Sequence, residues 1–419
     1  MTLPPGPRLP VAAQTLGWVA RPGPWLERLR DRYGDAFTLK LAHEGTWVML
    51  SDPEAIKQVF TGDPALLHAG EANAILRPML GPRSVLLLDG RAHMSQRKLM
   101  LPAFHGERMA AYAGLITEAA EREVASWPTG TTVAVRPRMQ ALTLDIVMRA
   151  IFGSRDQRLK DALGRMLDWS MDPRKMLRVV VSGPDRIERT GFFDPTMRPV
   201  EEQLRAQIRR RRADPGDDVL SLLVQARHDD GEPMSDEEIR DELLTLLVAG
   251  HETTATALSW ALERLARHPA AWERLREGED DYLDAVIKET LRLRPVLPIV
   301  LRRLQQPMEI GVWDLPAGVS VAPCIHLVHR RPDVYPEPHA FRPERFLERP
   351  AGTYTWIPFG GGVRRCLGAS FALLEMKLVL RAVAAGVERL APDRPESEPV
   401  SRRSITLVPG REGRVVVGA

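Results

Sequence analysis

The 419-residue sequence contains little cysteine, little lysine and few aromatic residues, and it has no large excess of either charge. Its two cysteines, Cys324 and Cys366, are too few for a disulfide framework and are typical of a reducing, cytoplasmic environment. The 58 basic and 55 acidic side chains leave a net charge of +3, which does not indicate a nucleic-acid-binding protein. Only 7 of the basic residues are lysine, a bias that we attribute to codon composition.

The sequence also lacks an uninterrupted hydrophobic run long enough to span a membrane. Its longest apolar stretch, residues 243–262, is interrupted by His251 and Glu252, and such polar groups disfavour insertion. The first ten residues include four prolines and no apolar signal-peptide core. We therefore expect a soluble, cytoplasmic protein with no membrane anchor.

The hydrophobic pattern predicts a mainly helical protein with a smaller β region. The longest helix is expected at residues 235–267, because Ser235 and Glu238 can form a capping box and Pro269 follows its end. Another helix is expected at 280–293, and the first 25 residues and the segment 191–199 are expected to be irregular. Strands are predicted at 36–41, 47–51, 308–312, 319–322, 404–408 and 414–417. We expect a single domain over 1–419, with β-rich parts near 30–60 and 300–325.

A glycine-rich segment with one cysteine, residues 359–368, carries the strongest chemical signal. It places Phe359, Gly362, Arg364, Cys366 and Gly368 at fixed spacing. Glycines allow a backbone to pass close to a flat macrocycle, and the helix predicted after the cysteine favours a thiolate through its N-terminal amides. The segment lacks the G-x-G-x-x-G spacing of a nucleotide-binding loop. It resembles the signature of the cytochrome P-450 family of heme-thiolate monooxygenases, which implies that the cysteine is the axial ligand of the heme iron.

Two charged segments resemble the structural ion-pair network of this family. Glu289 and Arg292 match its E-x-x-R pair on one face of the predicted helix 280–293, and Arg345 lies in a Pro-Glu-Arg-Phe segment that matches the third partner. A surface ion pair is the alternative, but the apolar neighbours of Glu289 favour a buried network. By resemblance, these three residues hold the cysteine segment in place and are not catalytic.

The middle of the predicted long helix, Ala249-Gly-His-Glu-Thr, resembles the family's oxygen-binding motif. The resemblance implies that Gly250 leaves space for oxygen, that Thr253 donates a hydrogen bond to it, and that Glu252 relays protons from water. Simpler interpretations exist, because a mid-helix threonine often bonds back to the preceding turn and a glutamate often lies on a solvated face. A zinc motif is excluded, because H-E-x-x-H requires histidine where this sequence has Ala255.

Four side chains match positions that hold the heme propionates in the family. His93 and Arg97 are four residues apart and therefore share a helix face, although many members have tryptophan at the first position. Arg302 aligns with a further propionate ligand, with Arg303 beside it as the alternative, and Arg364 completes the set. Cationic donors around two buried carboxylates are physically reasonable, while a surface histidine–arginine pair remains the alternative for the first two.

The resemblance implies a triangular, helix-rich fold with a long central helix, heme b as cofactor, and a monooxygenase that uses O2 to hydroxylate or otherwise oxidise a hydrophobic small molecule. It also implies a separate ferredoxin or flavodoxin-type electron donor with its NAD(P)H-dependent reductase. A peroxygenase or isomerase on the same fold and a non-catalytic heme gas sensor remain alternatives. Pocket segments are expected at 75–88, 165–200, 246–249 and 297–301. An acidic donor is expected to dock on Lys98, Arg330, Arg331, Arg364 and Arg365.

Overall fold

The computed structural model describes residues 2–418 except 154–155, 171, 173–174, 176–177 and 179–180. In this part of the chain the helices, numbered α1 to α18, are Val11–Ala20, Pro22–Tyr33, Pro53–Thr61, Ala69–Ala72, Arg77–Leu80, Gly90–Met100, Glu107–Ala125, Val135–Phe152, Gln157–Ser170, Pro184–Arg189, Asp194–Ala213, Val219–Gln225, Asp236–Ala266, Pro269–Arg276, Asp280–Leu293, Ile325–Val328, Arg345–Glu348 and Ala369–Gly386. The strands, β1 to β12, are Ala36–Leu41, Gly45–Leu50, Leu67–His68, Thr131–Ala134, Arg302–Leu304, Met308–Ile310, Trp313–Leu315, Ser320–Pro323, Arg389–Pro392, Val400–Arg403, Thr406–Pro409 and Arg414–Gly418. The predicted class, mainly helical with a smaller β part, is confirmed. None of the helices in the described ranges combines enough length and hydrophobicity to cross a bilayer.

Helix α13 is the long helix that the sequence predicts, and with 31 residues it extends about 46 Å. Ser235 and Glu238 form the predicted capping box, because each side chain accepts a hydrogen bond from the backbone N–H of the other residue. The helix packs against α8, α11, α15 and α18, whose apolar side chains contribute to the largest core cluster. It therefore crosses the interior, and polar groups in its middle must find partners inside the protein.

The largest sheet has five strands in the order β1-β2-β8-β5-β3, and it joins the two chain regions that are predicted to be β-rich. Strands β2 and β8 are parallel, and the other neighbours are antiparallel. Successive side chains along β5 point to opposite faces, so that Arg302 is buried and Arg303 lies on the other side. A three-stranded sheet, β4-β12-β9, and the pairs β6-β7 and β10-β11 account for the remaining strands of the described residues.

The N-terminal segment covers the outer edge of β1, which is the edge strand of this sheet. The Thr38 N–H donates to Pro5 O (2.9 Å), and the Lys40 N–H donates to Gln14 Oε1 (2.9 Å). The backbone of Gly6 runs so close to the strand that a Cβ there would lie 2.1 Å from the Thr38 carbonyl oxygen. The outward-facing amides of Thr38 and Lys40 are therefore paired within the chain.

Two predictions of irregular structure are wrong. Helices α1 and α2 lie within the first 33 residues, because the four N-terminal prolines all precede Val11 and Pro22 occupies a first-turn position where its missing N–H has no cost. Helix α11 begins at Asp194, inside the predicted break at 191–199, and it contains Pro199. The apolar face that α11 buries offsets the hydrogen bond that this proline removes.

Candidate functional site

Residues 359–368 form a tight loop that leads directly into α18. The Cys366 N–H donates to the Phe359 carbonyl oxygen (3.0 Å) and closes the loop. Helix α18 begins at Ala369, and the Gly368 N–H is directed at the Cys366 sulfur. The cysteine therefore lies at the N-terminal end of a helix, as the sequence predicts.

Backbone conformation and packing on α3 explain the glycines of this loop, and the sequence alone does not predict this explanation. Gly360 and Gly362 have positive φ angles of 67° and 64°, which disfavour other residues. A Cβ at Gly361 would lie 2.2 Å from the ring of Phe60 in α3, and a Cβ at Gly362 would lie 2.0 Å from the Phe60 carbonyl oxygen. At these two positions, the close packing of the loop on α3 accounts for glycine without any macrocycle.

The Cys366 thiol lies below the protein surface, yet its side chain is accessible, as expected of a group that lines an internal cavity. Burial raises its pKa, whereas the Gly368 N–H and the charges of Arg97 and Arg365 oppose that rise. Cys324 differs, because it is fully buried and burial raises its pKa to about 12. Of the two cysteines, Cys366 is therefore the one available to a ligand.

The middle of α13 also borders an internal space. Ala249 is exposed and Thr253 is half-buried, although most of the surrounding helix is buried. The Thr253 hydroxyl donates to Ala249 O (2.5 Å), which is the back-bonded arrangement that the sequence leaves as an alternative. A Cβ at Gly250 would lie 3.4 Å from Val147 of α8, which is an ordinary van der Waals distance, so the packing of these two helices does not by itself require glycine here.

The Glu252 carboxylate is buried against α8 and is not solvated. Its Oε1 accepts from Arg136 (2.9 Å) and its Oε2 accepts from Gln140 (2.6 Å). Adjacent residues on a helix point about 100° apart, and Glu252 and Thr253 accordingly face different neighbours. The sequence does not predict that Arg136 and Gln140 bind Glu252. Their spacing places them on one face of α8, but nothing in the sequence pairs that face with α13.

The structure brings His93, Arg97, Arg302 and Arg364 together where α6, β5 and the cysteine loop meet. Burial, together with the charges of Arg364 and Arg97, lowers the pKa of His93 to about 3, so that His93 is neutral. Burial, with the charge of Arg364 beside it, lowers the pKa of Arg302 to about 10. These mutual interactions show that the four predicted propionate ligands form one cluster.

Within this cluster, Arg302 rather than Arg303 points inward. Arg302 is 6% exposed and donates to Leu301 O (2.7 Å), and no carboxylate of the described chain lies within ion-pair distance of it. Arg303 forms an ion pair with Glu71 (3.0 Å) on the other face of β5. The alternation of side chains along the strand therefore directs Arg302 into the interior.

Glu289, Arg292 and Arg345 form a buried ion-pair network. Arg292 donates twice to the Glu289 carboxylate (2.6 and 2.9 Å), Arg345 donates once (3.2 Å), and Glu289 and Arg292 are 0% exposed. Arg292 also donates to the His329 carbonyl (2.8 Å), and His329 Nε2 accepts from the Ile357 N–H (2.8 Å). The network thus connects through one histidine to the chain just before the cysteine loop.

The predicted docking surface for an electron donor is wrong for three of its residues. Arg330 is 4% exposed, Arg331 is paired with Asp35 (2.8 Å), and Arg364 is turned inward toward Asp89 (2.5 Å). Buried or paired guanidinium groups cannot present free positive charge to a partner. Lys98 and Arg365 are the exposed members of the predicted surface, and of these two Lys98 is paired with Asp229 (2.5 Å).

The residues of the site fit heme b. His93 Nδ1 and Arg364 Nε are buried and have no hydrogen-bond partner among the described residues, and Arg302 has no carboxylate partner there. Unpaired buried donors are costly, and two ligand carboxylates would satisfy them. The accessible Cys366 side chain offers a thiol, and a thiolate is the kind of soft ligand that holds iron in thiolate hemes.

Comparisons with known proteins agree with this geometry. Residues 4–385 match the family model described as Cytochrome P450. The chain is 42% identical to a Mycobacterium tuberculosis protein named cytochrome P450 135B1, over 100% of this chain and 92% of that protein. It is 38% identical to cytochrome P450 138 of the same organism, over 99% of this chain and 96% of that protein. Retinoic acid-bound cyanobacterial CYP120A1 superposes with a TM-score of 0.88 at 26% identity, over 100% and 99% of the two chains. The cytochrome P450DA heme domain superposes with a TM-score of 0.84 at 25% sequence identity, over 100% of this chain and 98% of that chain.

Proposed function

This chain belongs to the cytochrome P450 family of heme-dependent monooxygenases, and we propose that it oxidises an apolar small molecule with O2 and with electrons from a separate redox protein. One observation carries the proposal: an accessible cysteine at a helix N-terminus lies beside a cluster of buried cations that have unpaired donors. In the reaction one oxygen atom enters the substrate, and two electrons and two protons reduce the other atom to water. We further propose that residues 1–419 act as one catalytic domain.

The cofactor would be held by residues from three elements. Cys366 would bind the iron, and His93, Arg97, Arg302 and Arg364 would donate to the propionates. Heme b supplies the reductive activation of O2 when it is bound. The neutral state of His93 suits this role, because a neutral imidazole adds no further charge to three arginines.

Proton delivery would depend on Thr253 and Glu252. The Thr253 hydroxyl can rotate from the Ala249 carbonyl and donate into the internal space beside it. The Glu252 carboxylate is held by Arg136 and Gln140, so it must leave at least one of these partners before it can pass on a proton. In this proposal Arg136 and Gln140 hold the acid in its resting position.

The substrate is proposed to be fatty-acid-like, terpenoid or polyketide-like. The expected pocket segments include the half-buried apolar residues Leu246, Val248, Leu297 and Val300, which favour an apolar ligand over a sugar. The similar CYP120A1 structure contains retinoic acid, an elongated apolar acid of the terpenoid class. Part of the 165–200 segment lies outside the described residues.

Electrons would come from a ferredoxin or flavodoxin-type protein with its NAD(P)H-dependent reductase. Arg365, which is exposed and follows the cysteine loop's inward-facing Arg364, would contribute positive charge to the docking surface. The two cysteines are unpaired, which is in keeping with a reducing, cytoplasmic location.

Replacement of each cysteine tests the assignment of the iron ligand. Cys366→Ala is expected to abolish the red-shifted Soret band of the ferrous carbon-monoxide complex, whereas Cys324→Ala, which alters a thiol outside the loop, should keep it. The reverse result would show that the ligand is misassigned.

A reconstituted assay tests the reaction. Protein supplied with a ferredoxin, its reductase, NADPH and 18O2 is incubated with retinoic acid or dodecanoic acid, and products are analysed by mass spectrometry. A product that gains one 18O atom per molecule supports the proposal. Products that form with hydrogen peroxide but never with the reduced carrier would support a peroxygenase instead.

A further inference from the structure

Residues 81–89, which we call the strap, run between the long helix α13 and the cysteine loop. On the helix side, the Arg83 N–H donates to Asp241 Oδ2 (2.9 Å) and the Val85 N–H donates to Glu242 Oε1 (2.7 Å). Both acidic residues are 0% exposed. Two buried carboxyl groups of α13 therefore hold two backbone amides of the strap.

A chain of hydroxyl groups adds a third connection between the strap and α13. The Thr245 hydroxyl donates to the Asp241 carbonyl (2.7 Å), so it must accept from Ser84 Oγ at 2.7 Å. Ser84 Oγ in turn accepts from the Leu86 N–H (3.2 Å). Each hydroxyl thus donates one hydrogen bond and accepts another, and the direction of the chain is fixed.

The start of the strap is shaped to admit the Asp241 side chain. Gly81 has a φ angle of 81°, and a Cβ at this position would lie 2.2 Å from Asp241 Oδ1. The same carboxylate oxygen accepts from Arg240 Nε (2.8 Å), which fixes its orientation. Glycine is therefore required here by the approach of a carboxylate that also binds the strap.

The opposite side of the strap is held by the cysteine loop. The Arg364 guanidinium donates to Val85 O (3.2 Å), to the Leu88 carbonyl and to the Asp89 carboxylate (2.5 Å). Val85 consequently has its N–H bound to α13 and its C=O bound to the residue two positions before Cys366. The leucines between these anchors, Leu86 to Leu88, are half-buried and belong to an expected pocket segment.

We propose that Asp241, Glu242 and Thr245 are positioning residues that fix the strap and thereby set the affinity for the apolar substrate. The inference rests on the proposed function, because it assumes that Leu86–Leu88 form part of the substrate pocket. Burial raises the pKa of Glu242 to about 8, so its carboxyl is mainly neutral at pH 7. Glutamine, which keeps a carbonyl oxygen in the same place, should therefore replace it well, whereas leucine should not.

Hydrogen exchange and ligand titration of the heme-loaded protein test the proposal. In Glu242→Leu, peptides covering residues 82–88 are expected to exchange about tenfold faster, as for the loss of one buried hydrogen bond. The dissociation constant for retinoic or dodecanoic acid, read from the optical spin-state shift, should rise about tenfold, while the carbon-monoxide spectrum stays unchanged. Glu242→Gln should show the exchange rate and the dissociation constant of the wild type.

Thr245→Val should act in the same direction as Glu242→Leu, and Thr290→Val is its matched control. Thr290 is a buried helical threonine whose hydroxyl donates to Val286 O (2.8 Å), and this hydroxyl forms no hydrogen bond with the strap among the described residues. The inference would be overturned if hydrogen exchange is unchanged in Glu242→Leu, or if exchange is faster while the ligand affinity is unchanged. It would also be overturned if Glu242→Gln does not show the wild-type exchange rate and dissociation constant. Absence of any spin-state shift or product with apolar compounds in the wild type would instead overturn the proposed substrate class, while the exchange result would still report on the strap.

Discussion

Replacement of Glu289 by alanine is expected to destabilise the protein and to lower its heme content. The substitution leaves Arg292 and Arg345 charged and buried, without the carboxylate that both contact. It also removes the acceptor of the Arg342 N–H (2.8 Å). Removing one member of a buried charge network costs about 3–5 kcal/mol, because the remaining charges are uncompensated.

This cost converts to a modest but measurable change in melting temperature. A chain of this length has an entropy of unfolding of about 0.9 kcal/mol/K, so that the Tm should fall by roughly 3–6 °C. Glu54→Ala is the matched control, because Glu54 and Lys57 have the same three-residue spacing on a helix and pair at 3.2 Å, but both side chains are exposed. The control should lose less than about 1 kcal/mol of unfolding free energy.

Calorimetry gives the Tm, and absorbance of the heme per mole of protein gives the heme content. Heme content should fall with Tm in Glu289→Ala, because Arg292 and His329 connect the network to the chain before the cysteine loop. Equal losses of Tm in the two variants, or normal heme content in Glu289→Ala, would refute this reasoning.

Three further variants test other parts of the site. Thr253→Ala is expected to retain heme and to oxidise the reduced carrier, but to form more hydrogen peroxide and less product; undiminished coupling would exclude Thr253 from proton control. Arg302→Leu should release heme faster to apomyoglobin than wild type, whereas Arg303→Leu, on the outer face of β5, should not; equal rates would contradict the inward role of Arg302. Burial raises the pKa of Glu375 from 4.5 to about 8. Between these pH values the folded state keeps a proton that the unfolded state releases. The unfolding free energy should therefore fall as pH rises from about 4.5 to 8. Glu375→Gln should raise Tm at pH 8 relative to wild type and flatten its dependence on pH, and a parallel pH profile would show that Glu375 is ionised in the folded protein.

The helices with strong local signals could be predicted from the sequence. The long helix is bounded by Ser235 and Pro269, and the structure ends it within a residue of the expected position. Local signals also placed Cys366 at a helix N-terminus and Glu289 beside Arg292. These features depend on neighbours within a few residues, which a sequence pattern records directly.

Contacts between distant segments could not be predicted in the same way. The partner of Glu252 is Arg136, 116 residues away, and the acceptor of the Val85 N–H is Glu242, 157 residues away. Burial also explains the error in the predicted docking surface. Arg330 is buried in the fold, but the sequence does not distinguish it from an exposed arginine. The choice between Arg302 and Arg303 needed the orientation of one short strand.

The N-terminal segment that pairs with the outer edge of β1 affects the solubility expected of truncated forms of the protein. An uncovered edge strand can pair with a strand of another molecule, which is a common route to aggregation. Deletion of residues 2–15 would remove the acceptors at Pro5 and Gln14 and expose the amides of Thr38 and Lys40. Shortening the N-terminus should therefore lower solubility and promote intermolecular β-pairing even where the heme site is intact.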